Sequence, residues 1–302
     1  MISSSQLIST SLVIDKTRIG YNFSKSPHGK ADYEAMHHFI TQTCFDQSFA
    51  ASSKWTSKKH AWTCGRVQLD EGIHLTLGIG YTPHGQRAFF QFNPSKLTDK
   101  AWCAFQAALM TMLFQEWNGM IANGNVLTME FACDVTNASY NDFIFIDTKV
   151  RSINTTNDEN GTLYLGSMSS SRQIACYDKG KELHDARNID LDHPLLRVEA
   201  RLHPSKALYL NELDQVQNPF APVLIVPRQA LLDATALSGS AGRFRKHVSN
   251  GYAPNHAYEL CAPLDKQNRN AYVEALRQLV PSWWNPAQIW KTAPAALAWT
   301  SH

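Results

Sequence analysis

The chain is poor in the features that announce a role from composition alone. Charged residues make up only 18% of its 302 positions and nearly cancel, at a formal net charge of +2. That excludes a protein dominated by a single-sign field. No apolar run approaches the roughly 20 residues needed to span a bilayer, so no membrane contact is expected. The opening MISSSQLIST lacks a basic stretch followed by an apolar block, and the expected location is the cytoplasm. Six cysteines, Cys44, Cys64, Cys103, Cys133, Cys176 and Cys261, are scattered without a CxxC pair. This spacing argues against zinc and a disulfide framework and for reduced, buried thiols. No internal repeat of fixed period occurs, and low complexity is confined to the serine tracts Ser3 to Ser5 and Ser169 to Ser171.

What is present is a chain that is 44% hydrophobic, enough for a sizeable core in one large or two smaller domains. Its charge is uneven. From Arg228 onward there are 8 Lys+Arg against 4 Asp+Glu, while residues 1–227 carry 20 against 22, so the basic part is the tail.

The pattern predicts a strand over SLVIDKTRIGYNF, then a helix over DYEAMHHFITQTCF with Asp32 as a cap. Hairpins follow in RVQLDEGIHLTLGIGYTPHGQRAFFQFNP, turning at Glu71-Gly72 and Pro83-His84-Gly85. A long buried helix from Lys96 to about Ala122 should start near the cap Thr98. Further strands are expected at FIFIDTKV and, after a turn in TNDENG, at TLYLGS. KELHDAR reads as a short helix or loop, and SKALYLNELD as a helix from Ser205. Pro219, Pro222 and Pro227 bracket the apolar VLIV, and beyond them QALLDATAL, AYVEALRQL and PAQIWKTAPAALAW read as helices. The expected class is α+β, mostly antiparallel sheet with packed helices followed by a helical C-terminal segment. The expected division is a catalytic domain over 1–215 and a mainly helical segment over 216–302.

Three stretches alternate apolar and polar residues with the two-residue period of a half-buried strand. In LTMEFACDVT, Glu130 and Asp134 share the polar face. In RQIACYDKG, Tyr177 and Lys179 share the parity opposite to Ile174 and Cys176. In LLRVEARLH, Arg197, Glu199, Arg201 and His203 alternate with Leu196, Val198, Ala200 and Leu202. If the three strands lie in one sheet, acids, a tyrosine and cations meet on one surface, which is the inventory of a metal-assisted phosphodiester site with a tyrosine nucleophile. A phenol ionises near pH 10, so attack at neutral pH needs a nearby cation or base. Lys179 supplies charge. Glu130, Asp134 and Glu199 are the acids for Mg²⁺ or Mn²⁺, and Arg172, Arg197 and Arg201 can neutralise phosphate in fork geometry. Each residue also has a plain alternative: a packing tyrosine, a surface ion-pair ladder, solvated carboxylates.

The order of TLYLGSMSSSRQIACYDKGKEL and LLRVEARLH resembles the replication initiation factors of filamentous phages and of one class of rolling-circle plasmids, the Rep_trans family. Gly166, Ser167, Arg172, Tyr177, Asp178, Lys179, Glu182, Arg197 and Glu199 match its motifs, and FQFNPSKL looks like its segment before a long helix. The resemblance covers roughly residues 86–205. It implies nicking of one origin DNA strand, single-stranded or in a supercoiled duplex. The 5′ phosphate would stay on Tyr177 and a 3′ hydroxyl would be left for a host polymerase, with rejoining later. In the family's Arg-x-Asp-x-x-x-Asp strand, Glu130 here takes the place of the first Asp and the arginine position is not arginine. The His-hydrophobic-His motif of the other large initiator group is absent, and His37-His38 read as ordinary helix residues.

The resemblance further implies a host-cell cytoplasm if the chain is phage-encoded, and a host helicase as partner. A homodimer would supply the second nucleophile for two cleavages; Tyr164 or activated water are the alternatives. Lys181 near the motif and Arg243, Arg245 and Lys246 in SGSAGRFRKHV are candidate phosphate contacts, and a DNA-binding or dimerisation role is the expectation for the C-terminal segment. Two other functional classes remain at this level: a non-catalytic origin-binding or phage regulatory protein, and a metal-dependent nuclease in which water attacks.

Overall fold

The computed structural model describes residues 7–25, 28–43, 62–82, 85–113, 117–149, 155–157, 161–263 and 265–297. Outside the described residues lie Cys44, the tract Ser3 to Ser5, Pro83-His84 of the second hairpin turn and the 158–160 part of TNDENG. The chain is α+β with antiparallel sheet, as its pattern predicts. It separates into two compact units, each assembled from discontinuous stretches. The first is mainly Ile14–Phe131 with Leu202–Val216, and the second mainly Ala132–Arg201 with Gln217–Ala293.

The first unit contains most of β1 (Ser9–Asn22), α1 (Gly29–Thr43), β2 (Trp62–Asp70), β3 (Ile73–Thr82), β4 (Gly85–Phe92), α2 (Asp99–Leu113), α3 (Trp117–Asn123) and the start of β5 (Asn125–Thr136). Its strand order is β2-β3-β4-β1-β5. Gly72 turns the β2–β3 hairpin with φ 67°, a left-handed conformation that glycine adopts at no steric cost. Against the sheet, α2 buries Ala101, Phe105, Ala108, Leu109 and Met112, the three- and four-residue spacing of one helical face. The Phe105 ring lies 4.9 Å from that of Phe92. Thr98 caps the helix as expected, its Oγ1 accepting from the Ala101 N–H at 3.1 Å while donating to Asp70 at 3.0 Å. Asp32 is not a cap: α1 starts earlier, at Gly29, and Asp32 is buried in its first turn.

The expected helix from Ser205 is also replaced. Residues 205–209 are irregular and only a 3-10 turn forms at Leu210–Gln215. The physical reason is competition for the backbone. The Leu208 carbonyl accepts from the Val126 N–H at 2.7 Å, and Tyr209 bridges Asn125, so this segment borders β5.

The second unit holds the end of β5, then β6 (Phe143–Asp147), β7 (Thr155–Asn157), β8 (Leu163–Leu165), β9 (Arg172–Asp178), α4 (Lys179–Arg187) and β10 (Leu195–Leu202). It continues through β11 (Val223–Pro227), α5 (Arg228–Asp233), α6 (Gly239–Ser249), α7 (Pro254–Cys261), α8 (Lys266–Arg277) and α9 (Pro286–Trp290). Strands run β5-β10-β9-β8-β7, and β11 pairs with β6 in a separate two-stranded sheet. The proline-bracketed VLIV is thus a strand, with all four residues buried. Two of them, Leu224 and Val226, meet Ile144, Ile146, Phe244, Tyr258, Tyr272 and Leu276 in one core. Burying each such side chain contributes about 1.5–3 kcal/mol. Among the described residues no helix is long and apolar enough to cross a membrane. Cys64, Cys133, Cys176 and Cys261 are buried free thiols as expected, whereas Cys103 is exposed.

Candidate active site

Strand β10 lies between β5 and β9, which brings the three alternating stretches side by side. Register does the rest. Asp134 of β5 takes a two-pronged bond from Arg197 of β10, Nε to Oδ1 at 2.6 Å and Nη2 to Oδ2 at 2.7 Å. Two residues along the same face of β10 is Glu199, only 3% exposed. A buried carboxylate is costly unless hydrogen bonded, and Glu199 has two donors: Arg201 Nε reaches Oε1 at 2.6 Å and the Tyr177 hydroxyl donates to Oε2 at 3.2 Å. The tyrosine is half-buried. It is therefore held by a base that is itself held by a guanidinium.

Lys179 arrives by a different route from the one its parity suggests. The strand ends at Asp178, whose side chain accepts from the Lys181 N–H at 2.9 Å and caps α4. Lys179 is thus the first helical residue, and strand alternation no longer decides its direction. Its ammonium nevertheless lies 6.0 Å from the centre of the Tyr177 ring and pairs with Glu182. Lys181, two residues further on, is exposed.

Two of the expected residues sit elsewhere. Arg172 has the parity of Ile174, opposite to Tyr177. It pairs with the buried Asp147 at the end of β6 and donates to the Pro219 carbonyl at 3.1 Å, so it joins sheet to sheet rather than meeting the tyrosine. Glu130 belongs to the first unit, where Lys16 is 3.9 Å from it. On α6, Arg243 and Lys246 are exposed, while Arg245 is half-buried and donates to the Leu232 carbonyl at 3.3 Å.

Sequence reasoning weighed Tyr164 only as a spare nucleophile. In the fold it pairs with Ala175, which places it on the Tyr177 face of the sheet, and the Arg201 guanidinium lies 5.5 Å from its ring centre. The signal was its alternation with the buried Leu163 and Leu165, which assigns it to a face of the sheet only once the register is known. Behind the site, Cys133 and Cys176 point to the opposite face. Burial, with Asp134 adding to it, pushes the Cys133 thiol up to about 12, and burial raises Cys176 well above the ordinary range. Both stay protonated and inert.

Among the described residues no three His, Cys, Asp or Glu side chains converge as a ready-made metal cage. Mg²⁺, however, usually takes one or two carboxylates together with substrate phosphate and water. Asp134 and Glu199 supply two. A carboxylate has about four acceptor sites, more than the arginines and tyrosine use, so the donor set fits such a cation. The chain matches no protein-family model and no curated protein.

Proposed function

We propose that the protein is a rolling-circle replication initiator that nicks one strand of origin DNA through Tyr177. The observation that carries this reading is the hydrogen bond from the Tyr177 hydroxyl to Glu199, with Arg201 on the other carboxylate oxygen and Lys179 beside the ring. A nucleophile, a base in contact with it and a third group orienting the base form the pattern of an activated nucleophile. The motif order shared with Rep_trans initiators supports the same reading.

In the forward step the Tyr177 oxygen attacks phosphorus and its proton passes to Glu199. The bond from phosphorus to the 3′ oxygen breaks, and that oxygen takes a proton from water to become the 3′ hydroxyl on which the host polymerase extends, while Glu199 returns its proton to solvent. The 5′ phosphate stays on the tyrosine, and attack by a 3′ hydroxyl reverses the step and reseals the strand. Arg201 holds Glu199 in place and, with Lys179, offsets negative charge at the phosphate. Asp134 and Glu199 would hold Mg²⁺ or Mn²⁺, which supplies Lewis-acid stabilisation of the phosphate when bound. The protein acts in the cytoplasm on single-stranded or supercoiled DNA, with a homodimer supplying a second tyrosine and a host helicase opening the duplex.

The test is Tyr177→Phe. Wild-type protein incubated with origin DNA and Mn²⁺ gains an oligonucleotide mass on the peptide carrying Tyr177. The variant gains none, while keeping its melting temperature within a few degrees because the ring still fills its place. Undiminished hydrolysis in the variant would instead favour a nuclease using water, and unchanged origin binding with no cleavage by either protein would favour a non-catalytic binder.

A further inference from the structure

The second unit contains a cavity of about 310 Å³ that uses none of the residues around Tyr177. It is built by Tyr140 and Asn141 of a 3-10 turn, by β6, by Leu163 of β8, by Arg228 at the start of α5 and by the first turn of α7 with Ala253 before it. Leu163 pairs with Cys176, and paired strand residues share a face. The cavity therefore lies on the side of the sheet opposite the tyrosine. Its size falls at the lower end of the roughly 300–1,000 Å³ of small-molecule sites.

We propose that this cavity binds a nucleotide, with the base against Tyr140 and the phosphate between Arg228 and the first turn of α7. Three kinds of group on its wall select that chemistry. The first is a rigid aromatic surface. Tyr140 stacks on Phe145 with ring centres 5.3 Å apart and planes at 16°, and Phe143 is held edge-on by Trp283 at 5.4 Å. Preformed flat apolar faces of this kind hold bases by stacking whatever their sequence.

The second is a pair of amides, Asn141 and Asn255. Each carries both donors and an acceptor, the complement of a base edge. The third is positive charge without any acidic lining residue. Arg228 is exposed, with a guanidinium fork suited to phosphate oxygens, and His256 also lines the cavity, its ring parallel to that of Tyr252. α7 opens with Pro254 at its first position, where no N–H is lost, so the positive end of the helix faces the same space. A purely apolar ligand would leave the amides and Arg228 unused, and a simple anion would leave the rings unused.

A nucleotide can come from the free pool or from a single strand of DNA. The experiment separates the two by titrating the full chain with dTMP and with a 5′-phosphorylated six-residue oligothymidylate, followed by calorimetry. Tyr140→Leu should weaken binding of the effective probe roughly tenfold through lost stacking. Arg228→Gln should weaken it and lower the slope of log affinity against log salt by about one. Tyr177→Phe, altered across the sheet, should bind as wild type, so this result stands or falls apart from nicking. Binding of dTMP that depends on Tyr140 assigns the site to free nucleotide, and Tyr140-dependent binding of the oligonucleotide alone assigns it to the strand. Absence of binding by both probes, or affinity unchanged in both the Tyr140→Leu and Arg228→Gln proteins, overturns the proposal.

Discussion

The cations of β9 and β10 and those of α6 lie in the same unit and are handled in opposite ways. On the strands every arginine is committed to a carboxylate: Arg172 to Asp147, Arg197 to Asp134, Arg201 to Glu199. On α6, Arg243 bonds the hydroxyl of Ser240 and meets the Cys261 thiol, Arg245 bonds a backbone carbonyl, and Lys246 is exposed, with no carboxylate partner for any of the three among the described residues. Arg197 and Asp134 are neighbours across two strands, Arg201 and Glu199 lie two residues apart on one strand, and Arg172 reaches Asp147 from another sheet, so in each case the sheet framework holds the charge against a fixed partner. A helix surface offers its cations to whatever comes. The strand arginines therefore define geometry, and the helix cations can supply attraction.

The largest effect that could break this contrast is at Arg197. Arg197→Met leaves Asp134 without its partner and should cost about 3–5 kcal/mol. The lower figure is the better guide, because Asp134 keeps part of its surface in water. Adding Asp134→Leu should recover most of the loss. Urea denaturation of the single and double variants measures it, and equal losses in both would mean that the pair is not a coupled unit. Arg243→Gln or Lys246→Gln should stay within about 0.5 kcal/mol of wild type.

The same contrast explains how much could be read in advance. The two-residue alternation of LTMEFACDVT and LLRVEARLH carries the strand faces, because one period decides them wherever one side is buried. It thereby carries the pairing of Asp134 and Glu199 with arginines on one surface, though not which arginine meets which acid. At RQIACYDKG the alternation fails past Asp178, since a capping aspartate ends the strand and Lys179 belongs to α4. Arg172 was misjudged because its partner Asp147 comes from β6, which pairs with β11 and not with the sheet carrying Tyr177. Periodicity is local, and contacts between separate sheets leave no period. The failure of the Ser205 helix has the same source: a bridge to β5 from some 80 residues away outweighs helical propensity.

A smaller effect sharpens the strand side of the comparison. The face of Tyr164 under the Arg201 guanidinium contributes roughly 0.5–2 kcal/mol, so Tyr164→Leu should slow adduct formation about three- to tenfold by loosening Arg201 and through it Glu199. Tyr164→Phe keeps the aromatic face and should react as wild type. Single-turnover rates of adduct formation test it, and a Phe variant as slow as the Leu variant would give the Tyr164 hydroxyl a chemical role of its own. On the helix side, replacing both Arg243 and Lys246 by Gln should lower the slope of log affinity against log salt by about two while leaving single-turnover cleavage of bound DNA unchanged. A slope equal to wild type would remove α6 from the DNA-binding surface.

The smallest effect distinguishes acids within the helical part of the second unit. Burial raises Glu259 on α7 above the ordinary carboxylate range, with Arg269 only partly opposing it. Its charged form is thus disfavoured by folding: the stability linked to this group is present in full below the unfolded value of about 4.3 and is lost as pH rises through the higher folded value. Asp265, the cap of α8, is lowered by the backbone and side-chain amides of Asn268. Its contribution has the opposite sign, present above the unfolded value of about 3.9 and lost as pH falls through the lower folded one. Glu259→Gln should therefore raise the melting temperature at pH 7 and leave it unchanged near pH 3. Asp265→Ala should lower it at pH 7, by an amount that shrinks as the solution is acidified. Thermal melts of the two variants across this range read both signs at once, and a Glu259→Gln protein less stable than wild type at pH 7 would show that Arg269 outweighs burial, making the helical acid behave like those of the strands.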